Sequence, residues 1–265
     1  MRCFLASILV LAILWPSLGG AKDGLKIVRL ATGEYPPYTS EHLPHFGVDA
    51  HLVSEAFALV GIKAVFEFLP WKRSFSNAKT GISDGTLPWA KRSGREIDFR
   101  YSNPVIEVDR EYFYHLKSIP IAWDPKAKDY RQLRGRHFGA GVSANYGPAF
   151  QTAEAQGVIL VTRTQTAMQN FKMLLRGRVD IVISKGRVGE FVLRNHFTTN
   201  EIDLLTRRPE SAAAPSHDYL LISKRGPQPE YFLKSFNRGL ERLRRSGRYE
   251  EIMENFENGA YAKLE

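Results

Sequence analysis

The segment LKIVRLA, residues 25–31, begins the part of the chain that decides the fold. It alternates in polarity and is rich in branched side chains, which is typical of a strand. Apolar residues within 48–60 then recur at helical spacing. The segment AVFEFL at 64–69 predicts a second strand, and a helix at 71–79 leads to a short strand around 85–87. Strands and helices that alternate in this way indicate a parallel α/β sheet.

The same alternation returns in the second half of the chain. Strands are predicted at 137–142, 158–161 and 179–183, with helices between them. A polar stretch at 117–135 separates the two blocks, which predicts two lobes of similar architecture. A further strand at 219–223 and two C-terminal helices carry too little apolar surface for a third domain. We expect them to pack on the first lobe, so that the chain crosses between the lobes twice.

The N-terminal residues have the features of a secretory signal peptide. Arg2 precedes an almost unbroken apolar stretch, and small residues follow as far as Ala21, after which we expect cleavage. The apolar stretch is shorter than the roughly 20 residues that span a bilayer. The only cysteine, Cys3, lies in this segment, so the exported chain would contain none. Disulfide frameworks, thiolate metal sites and cysteine nucleophiles are then excluded.

Composition and motifs argue against several classes of function. The chain of 265 residues has a net charge of +9, which favours anionic partners. Many binding proteins are equally basic, so we expect no nucleic acid among the partners. There is no phosphate-binding loop, nucleophile elbow or metalloprotease helix, so we expect neither catalysis nor a cofactor. His42, His45 and His51 straddle Pro44 and Gly47 and are predicted to be solvated loop residues, with no metal site.

Aromatic and charged residues follow each of the first three predicted strands. The groups are EYPPY at 34–38, PWKR at 70–73 and PWAKR at 88–92. In parallel α/β sheets these junctions line the ligand crevice. Aromatic rings there would give a small ligand flat apolar walls, and Trp or Tyr faces can also hold a cation. Each group alone fits a structural role, but three at successive strand ends predict a ligand site.

Short motifs are spread over the mature chain: EYPPY at 34–38, GVD at 47–49, REIDFRYSNP at 95–104, LRGRHFG at 133–139, GRVD at 177–180, and the closing helices at 240–252. In type and order they resemble the bacterial extracellular solute-binding proteins of family 3, the polar amino-acid receptors of ABC importers. The resemblance covers about residues 25–258, which is essentially the whole mature chain.

The resemblance implies a two-lobed type II periplasmic-binding-protein fold of the α/β class. Each lobe would be a mainly parallel sheet flanked by helices, and a two-stranded hinge near 111–115 and 216–219 would join the lobes. With residues 1–21 as the signal peptide, lobe 1 would comprise 22–112 and 217–265, and lobe 2 would comprise 113–216. The ligand would be trapped between the lobes.

The resemblance also implies particular ligand contacts. Arg95 stands where the family grips the ligand's α-carboxylate, and a guanidinium offers a rigid fork of donors to such a group. Asn145 and Tyr146 occupy the turn at which the second lobe adds a hydroxyl group and the backbone N–H groups of a helix start. The walls around the organic part of the ligand would come from three aromatic residues, Tyr35, Trp71 and Trp89.

One position departs from the family pattern. Amino-acid receptors of this family usually have an aspartate after the GRVD-type strand, where it receives the ligand's ammonium group, but this chain has Ser184 and Lys185 there. A lysine cannot accept a hydrogen bond from an amine and would repel it. Glu34 could take over that contact from the opposite lobe. Alternatively, Lys185 faces the cleft and the ligand has a second anionic group or lacks an amine, or Lys185 points to solvent.

The resemblance therefore implies a monomeric periplasmic solute-binding protein. It would capture a small polar or carboxylate-bearing, amino-acid-like solute and deliver it to an ABC permease in the inner membrane. Two other functions remain open at this stage. The chain could be a stand-alone periplasmic sensor domain, or a periplasmic dehydratase-like enzyme in which Glu34 or Glu190 serves as acid or base.

Overall fold

The computed structural model describes residues 26–142, 144, 146–210 and 216–262. The predicted signal peptide and Asn145 lie outside these residues. Within them, no helix has both the length and the apolar character needed to cross a membrane.

The first part of the chain forms, in order, β1 (Lys26–Thr32), α1 (Val48–Ala58), β2 (Ile62–Phe68), α2 (Trp71–Thr80), β3 (Gly85–Ala90), β4 (Phe99–Tyr101) and β5 (Ile106–Val108). The middle part forms β6 (Glu111–Leu116), β7 (His137–Gly141), α3 (Pro148–Ala155), β8 (Leu160–Thr164), α4 (Ala167–Leu175), β9 (Ile181–Lys185), α5 (Gly186–His196), α6 (Thr199–Asp203) and β10 (Leu205–Pro209). The last part forms β11 (Ser216–Ser223), α7 (Pro229–Arg245) and α8 (Arg248–Glu257).

These strands build two mixed sheets, one in each lobe. The first has the order β2-β1-β3-β11-β4, and β5 also pairs with β11. The second has the order β10-β6-β9-β7-β8. In the first sheet β1 is parallel to β2 and β3, and in the second β7 is parallel to β8 and β9. Antiparallel strands extend each of these parallel centres.

Two adjacent segments of chain connect the sheets. The first crossing is made by Asp109 and Arg110, between β5 and β6, and the chain returns between β10 and β11. Ser216 of β11 pairs with Val108 of β5, and the N–H of Glu210 donates to the carbonyl oxygen of Glu111, so the described residues before and after the return lie beside the first crossing, as expected for a two-stranded hinge. Residues 111–115, which the sequence placed in the hinge, are instead an internal strand of the second sheet. They pair on one side with β9 and on the other with β10.

The core of the first lobe lies between its sheet and the helices α1, α7 and α8. Phe57 of α1 and Phe236 of α7 are fully buried, and their ring centroids are 5.1 Å apart. The two helices approach closely at Gly239, where a Cβ atom would lie 1.9 Å from the carbonyl oxygen of Ala56. The C-terminal helices therefore pack against the first lobe.

His42 and His45 are exposed, as predicted, whereas His51 is buried, so the prediction of a solvated loop residue is wrong for His51. His51 lies in α1, is buried, and stacks on the ring of His45 with 3.9 Å between centroids. Its Nδ1 atom is 2.6 Å from the hydroxyl of Tyr261, which comes from the C-terminal end of the described chain. Burial lowers the pKa of His51 to about 4, so this side chain is neutral at pH 7.

Candidate ligand-binding site

The three predicted aromatic residues form one continuous wall in lobe 1. Tyr35 follows β1, Trp71 begins α2, and Trp89 lies near the end of β3. The ring of Trp71 is 6.3 Å from that of Tyr35 and 5.3 Å from that of Trp89, and both contacts are edge-on. Because β2, β1 and β3 are parallel neighbours, their carboxyl ends meet at one edge of the sheet. The sequence prediction that these rings share one crevice fits this arrangement.

Hydrogen bonds fix the tryptophan rings. The indole N–H of Trp71 donates to the carbonyl oxygen of Glu34 at 3.2 Å, and that of Trp89 donates to Oγ1 of Thr86 at 3.0 Å. A Cβ atom on Gly33 would lie 2.7 Å from the Trp71 ring, so a glycine there lets the ring pack on the backbone. The orientation of the wall is thus fixed by contacts within the protein itself.

Arg95 lies at one end of this wall. Its guanidinium carbon is 4.5 Å from the centre of the Trp89 ring, and Nη1 donates to the carbonyl oxygen of Ala90 at 2.8 Å. The side chain is half-buried, and burial lowers the pKa of Arg95 without removing its charge at neutral pH. A guanidinium has five N–H donors, so donors remain for a carboxylate. The cation is held against the wall and does not extend away from it.

Glu34 occupies the rim of the site. The residue is exposed, and its Oε1 atom accepts a hydrogen bond from the backbone N–H of Glu41 at 2.9 Å. This contact braces the loop that presents Tyr35.

In lobe 2, Tyr146 lies at the turn between β7 and α3. Its hydroxyl oxygen accepts a hydrogen bond from the backbone N–H of Gly141 at 2.9 Å, and its ring packs on Phe150 with 5.1 Å between centroids. Burial raises the pKa of Tyr146 to about 12, so the hydroxyl keeps its proton. The neighbouring Asn145 lies outside the described residues.

Lys185 points inward, toward the hinge. Its Nζ atom donates to the carbonyl oxygen of Asp109 at 2.8 Å and lies 3.4 Å from Oε1 of Glu111. Its side chain is 13% exposed, so the ammonium group does not point to solvent. Glu111 is the direct partner of Lys185 in the pairing of β6 with β9.

Two carboxylates that the sequence analysis did not single out lie near this lysine. Glu111 is one, and the buried Asp218 of β11, opposite Ile106 of β5, is the other, because its carboxyl group feels the charge of Lys185. Burial raises the pKa of Asp218 to about 6, while the charge of Lys185 opposes the rise. No sequence signal identifies either residue, because Glu111 and Lys185 meet only through strand pairing and Asp218 reaches them across the hinge. We call Lys185, Glu111 and Asp218 the charged floor.

The wall, the floor and the lobe 2 turn converge on one region. Tyr35 stacks on Tyr38 with 5.3 Å between ring centroids, the hydroxyl of Tyr38 donates to Asp109, and the carbonyl oxygen of Asp109 accepts from Lys185, so Tyr35 lies close to the floor. Burial raises the pKa of Tyr35 well above its usual value, and the charges of Asp218 and Glu111 raise it further. Glu111 also raises the pKa of Tyr146. The region therefore offers a flat aromatic surface, a cation at Arg95, and a floor in which two carboxylates face one ammonium group.

Asp109 in the hinge connects the two lobes beside this region. Its Oδ1 atom accepts a hydrogen bond from the hydroxyl of Tyr38 in lobe 1 at 3.0 Å. Its Oδ2 atom accepts one from the backbone N–H of Arg187 at 3.1 Å, in the first turn of α5. An anionic side chain is favourable at a helix N-terminus. The guanidinium of Arg187 in turn bonds to Glu257 of α8 and lies over the ring of Phe256.

Comparisons with known proteins bear on the fold. No family model matches the chain, and no curated protein matches it in sequence. Among solved structures, an ancestral arginine-binding protein bound to arginine is similar at a TM-score of 0.69 and 19% identity, covering 86% of this chain and 97% of that chain. An amino acid ABC transporter substrate-binding protein from Streptococcus pneumoniae, bound to L-arginine, has a TM-score of 0.67 and 15% identity, covering 90% and 96%.

A histidine kinase sensor domain with similarity to periplasmic binding proteins is also similar, at a TM-score of 0.65 and 20% identity, covering 86% of this chain and 95% of that chain. At such identities the similarity shows the fold. The chain has the two-lobed type II periplasmic-binding-protein fold, and these structural neighbours are binding proteins and a sensor domain.

Proposed function

We propose that the chain is a periplasmic solute-binding protein of the family 3 type, which encloses a small amino-acid-like solute between its lobes. The observation that carries this proposal is the aromatic wall of Tyr35, Trp71 and Trp89, with Arg95 stacked at one end. A ligand's flat or aliphatic part would lie on the rings, and its carboxylate would accept hydrogen bonds from the guanidinium. The ligands of the similar solved structures, which include arginine, support an amino acid.

The charged floor favours a ligand that keeps its amine. Lys185 is already engaged by Glu111 and by the carbonyl oxygen of Asp109, so it has little capacity left for an anion. The floor places two carboxyl groups beside one ammonium group, and burial raises the pKa of Asp218 to about 6 because its negative charge is poorly compensated there. A ligand ammonium group would balance it. An amine held by the floor is an arrangement that none of the three sequence-based alternatives included, and it fits these contacts better than an amine held by Glu34 at the rim.

Lobe closure would supply the affinity. Arg95 on lobe 1 and the Tyr146 turn on lobe 2 would act on the ligand from opposite sides once the lobes approach. Closure would also exclude water, which strengthens charge-assisted hydrogen bonds in the lower effective dielectric. The solute would then pass to an ABC permease, and the binding protein would act as a monomer.

A panel of free amino acids and organic acids tests the proposal. We expect at least one amino acid to raise the melting temperature, because a ligand that binds only the folded state stabilises it by mass action. Native mass spectrometry of the gently purified chain should show the same solute in a one-to-one complex. Stabilisation by dicarboxylates alone would contradict the amine assignment, and turnover of a cyclic acid would favour the enzyme alternative.

A sensor function is the second candidate, and the similar sensor domain of a histidine kinase favours it. Uptake of the identified, radiolabelled solute separates the two functions. Cells that lack the protein should lose uptake at low solute concentration if it serves an importer. Unchanged uptake, with loss of a transcriptional response to the solute, would indicate a sensor.

A further inference from the structure

The sequence contains two Arg-Gly-Arg triplets, at 134–136 and 176–178, and the fold places them side by side. The first triplet leads into β7 and the second leads toward β9. These strands are parallel neighbours that pair through Phe138 and Ile181. Neighbouring strands lie about 4.8 Å apart, so the two loops form one edge of lobe 2. We call the side chains of Arg134, Arg136, Arg176 and Arg178 the arginine edge.

Backbone hydrogen bonds join the loops of this edge. The N–H of His137 donates to Oδ2 of Asp180 at 2.8 Å, and the N–H of Asp180 donates to the carbonyl oxygen of His137 at 2.7 Å. The N–H of Gly135 donates to the carbonyl oxygen of Val158 at 2.8 Å, which adds the loop before β8. The arginines are therefore attached to a fixed backbone.

The edge carries an excess of positive charge. Arg136 lies 3.8 Å from Oδ1 of Asp180, and the other oxygen of that carboxylate is bound by the backbone. The remaining side chains, those of Arg134, Arg176 and Arg178, are exposed, and in the part of the chain that the structure describes none of them contacts an acidic group. Unpaired guanidinium groups attract phosphate and carboxylate, which they can hold by two parallel hydrogen bonds.

The edge faces open space. A Cβ atom built on Gly135, Gly157 or Gly177, one in each of the three loops, would meet no atom within 4 Å. The side chain of Leu160, whose N–H donates to the carbonyl oxygen of Arg136 at 3.0 Å, is 55% exposed. An open edge with unpaired arginines and an apolar side chain fits an extended anionic surface better than an enclosed small anion.

The edge is remote from the candidate ligand site. The triplets precede β7 and β9, whereas Tyr146 and Lys185 lie at or just beyond the carboxyl ends of the same strands. Contact at the arginine edge would therefore leave the opening between the lobes accessible.

We propose that the arginine edge docks lobe 2 on the surface of an anionic phospholipid membrane. The arginines would bind lipid phosphate groups, and Leu160 would enter the interfacial layer beside them, as apolar side chains do on peripheral proteins. This proposal is independent of which solute the protein binds. An acidic protein surface is the competing partner, and the experiment includes it.

Sedimentation with lipid vesicles tests the proposal. The purified chain should bind vesicles of mixed phosphatidylglycerol and phosphatidylcholine, should not bind pure phosphatidylcholine, and should be released by added salt. An arginine near an anionic bilayer contributes about fivefold in affinity, so the triple variant R134E/R176E/R178E, which loses three of them, should bind at least about a hundredfold more weakly.

The matched control is K63E/K234E/R238E, which makes the same charge change at exposed positions of lobe 1. It should bind within about threefold of the unchanged chain, and thermal melts should show that both variants fold. Three results would overturn the proposal: no binding of the unchanged chain to phosphatidylglycerol, equal binding by the edge variant, or an equal loss in the control. If the unchanged chain bound immobilised polyglutamate but not vesicles, and the edge variant lost that binding, the partner would be an acidic protein and the membrane proposal would be wrong.

Discussion

Asp49 is a carboxylate buried in lobe 1 without a hydrogen-bond partner. The residue is 1% exposed, and within the described residues neither carboxylate oxygen has a donor nearby. It borders a small cavity lined mainly by apolar side chains, those of Leu87, Pro88, Val105 and Tyr219. Burial raises the pKa of Asp49 well above its usual value, and the charge of Asp218 raises it further. Asp49 therefore keeps its proton into a pH range where an unfolded chain would lose it.

The raised pKa of Asp49 predicts that the free energy of unfolding depends on pH. The folded-state pKa exceeds the unfolded-state pKa, so the folded chain binds more protons and its stability falls as pH rises above the unfolded value. Asp49→Asn removes this dependence. We expect the free energy of unfolding of this variant, measured in urea, to exceed that of the unchanged chain. The difference should grow by up to about 1.4 kcal/mol for each pH unit above pH 5.

Asp203→Asn is the control, because Asp203 is exposed at the end of α6. The stability of this variant should depend on pH in the same way as that of the unchanged chain. If the stability of Asp49→Asn also had the same pH dependence as that of the unchanged chain, the carboxyl group of Asp49 would be ionised in the folded protein and the assignment would be wrong.

At the same scale, the sequence predicts where the aromatic candidates lie, but not which residues surround Lys185. Tyr35, Trp71 and Trp89 follow strands that periodicity identifies, so their meeting at one sheet edge was predictable. The unusual position of Lys185 was also visible in the sequence. Its partner Glu111 was not, because the pair depends on the register between β6 and β9. The charged floor is a product of tertiary pairing.

Among the secondary-structure elements, the contact between α1 and α7 depends on one small residue. Gly239 lies inside α7, where glycine lowers helix stability by roughly 1 kcal/mol relative to alanine. Glycine is needed here for steric reasons, because a Cβ atom would lie 1.9 Å from the Ala56 carbonyl oxygen. The backbone cannot yield as a flexible side chain would, so any larger residue must separate the helices.

We therefore expect Gly239→Ala to destabilise the chain, although alanine is the better helix former. Overpacking of this kind costs about 1–3 kcal/mol or more, which exceeds the gain in propensity. The measurement is the free energy of unfolding in urea. Gly226→Ala is the control, because a Cβ atom there would meet its nearest atom at 3.6 Å, an ordinary contact. A Gly239→Ala variant as stable as this control would show that the helices do not pack as described.

Periodicity predicted the longer elements and missed those that depend on pairing. The helices α1, α2 and α4 and the strands of both parallel centres follow from the spacing of apolar residues. The edge strand β10 has no strand signal in the sequence, because the segment Leu205–Pro209 contains two arginines and a proline and is mostly exposed, and only its pairing with β6 makes it a strand. Pro44 and Gly47, which precede His51, predict a loop there, yet α1 begins directly after that glycine.

At the level of the whole molecule, two repeated blocks and two crossings predict two lobes, and the resemblance of the motifs implies the two-stranded hinge. The hinge itself lies slightly earlier than expected, at Asp109 and Arg110, because β6 already belongs to the second sheet. Contacts between the lobes were beyond sequence reasoning. The clearest example is Asp109, which accepts hydrogen bonds from Tyr38 in one lobe and Arg187 in the other.

The central claim is that Arg95 holds the solute's carboxylate between the lobes, and calorimetric titration with the identified amino acid tests it most directly. Truncating one member of a buried charged pair costs about 2–5 kcal/mol, so Arg95→Ala should weaken binding by roughly 30- to 4000-fold. Arg92→Ala, three residues away and exposed, should bind within about threefold of the unchanged chain. An Arg95→Ala variant that melts normally and binds the amino acid as tightly as the unchanged chain would contradict the account.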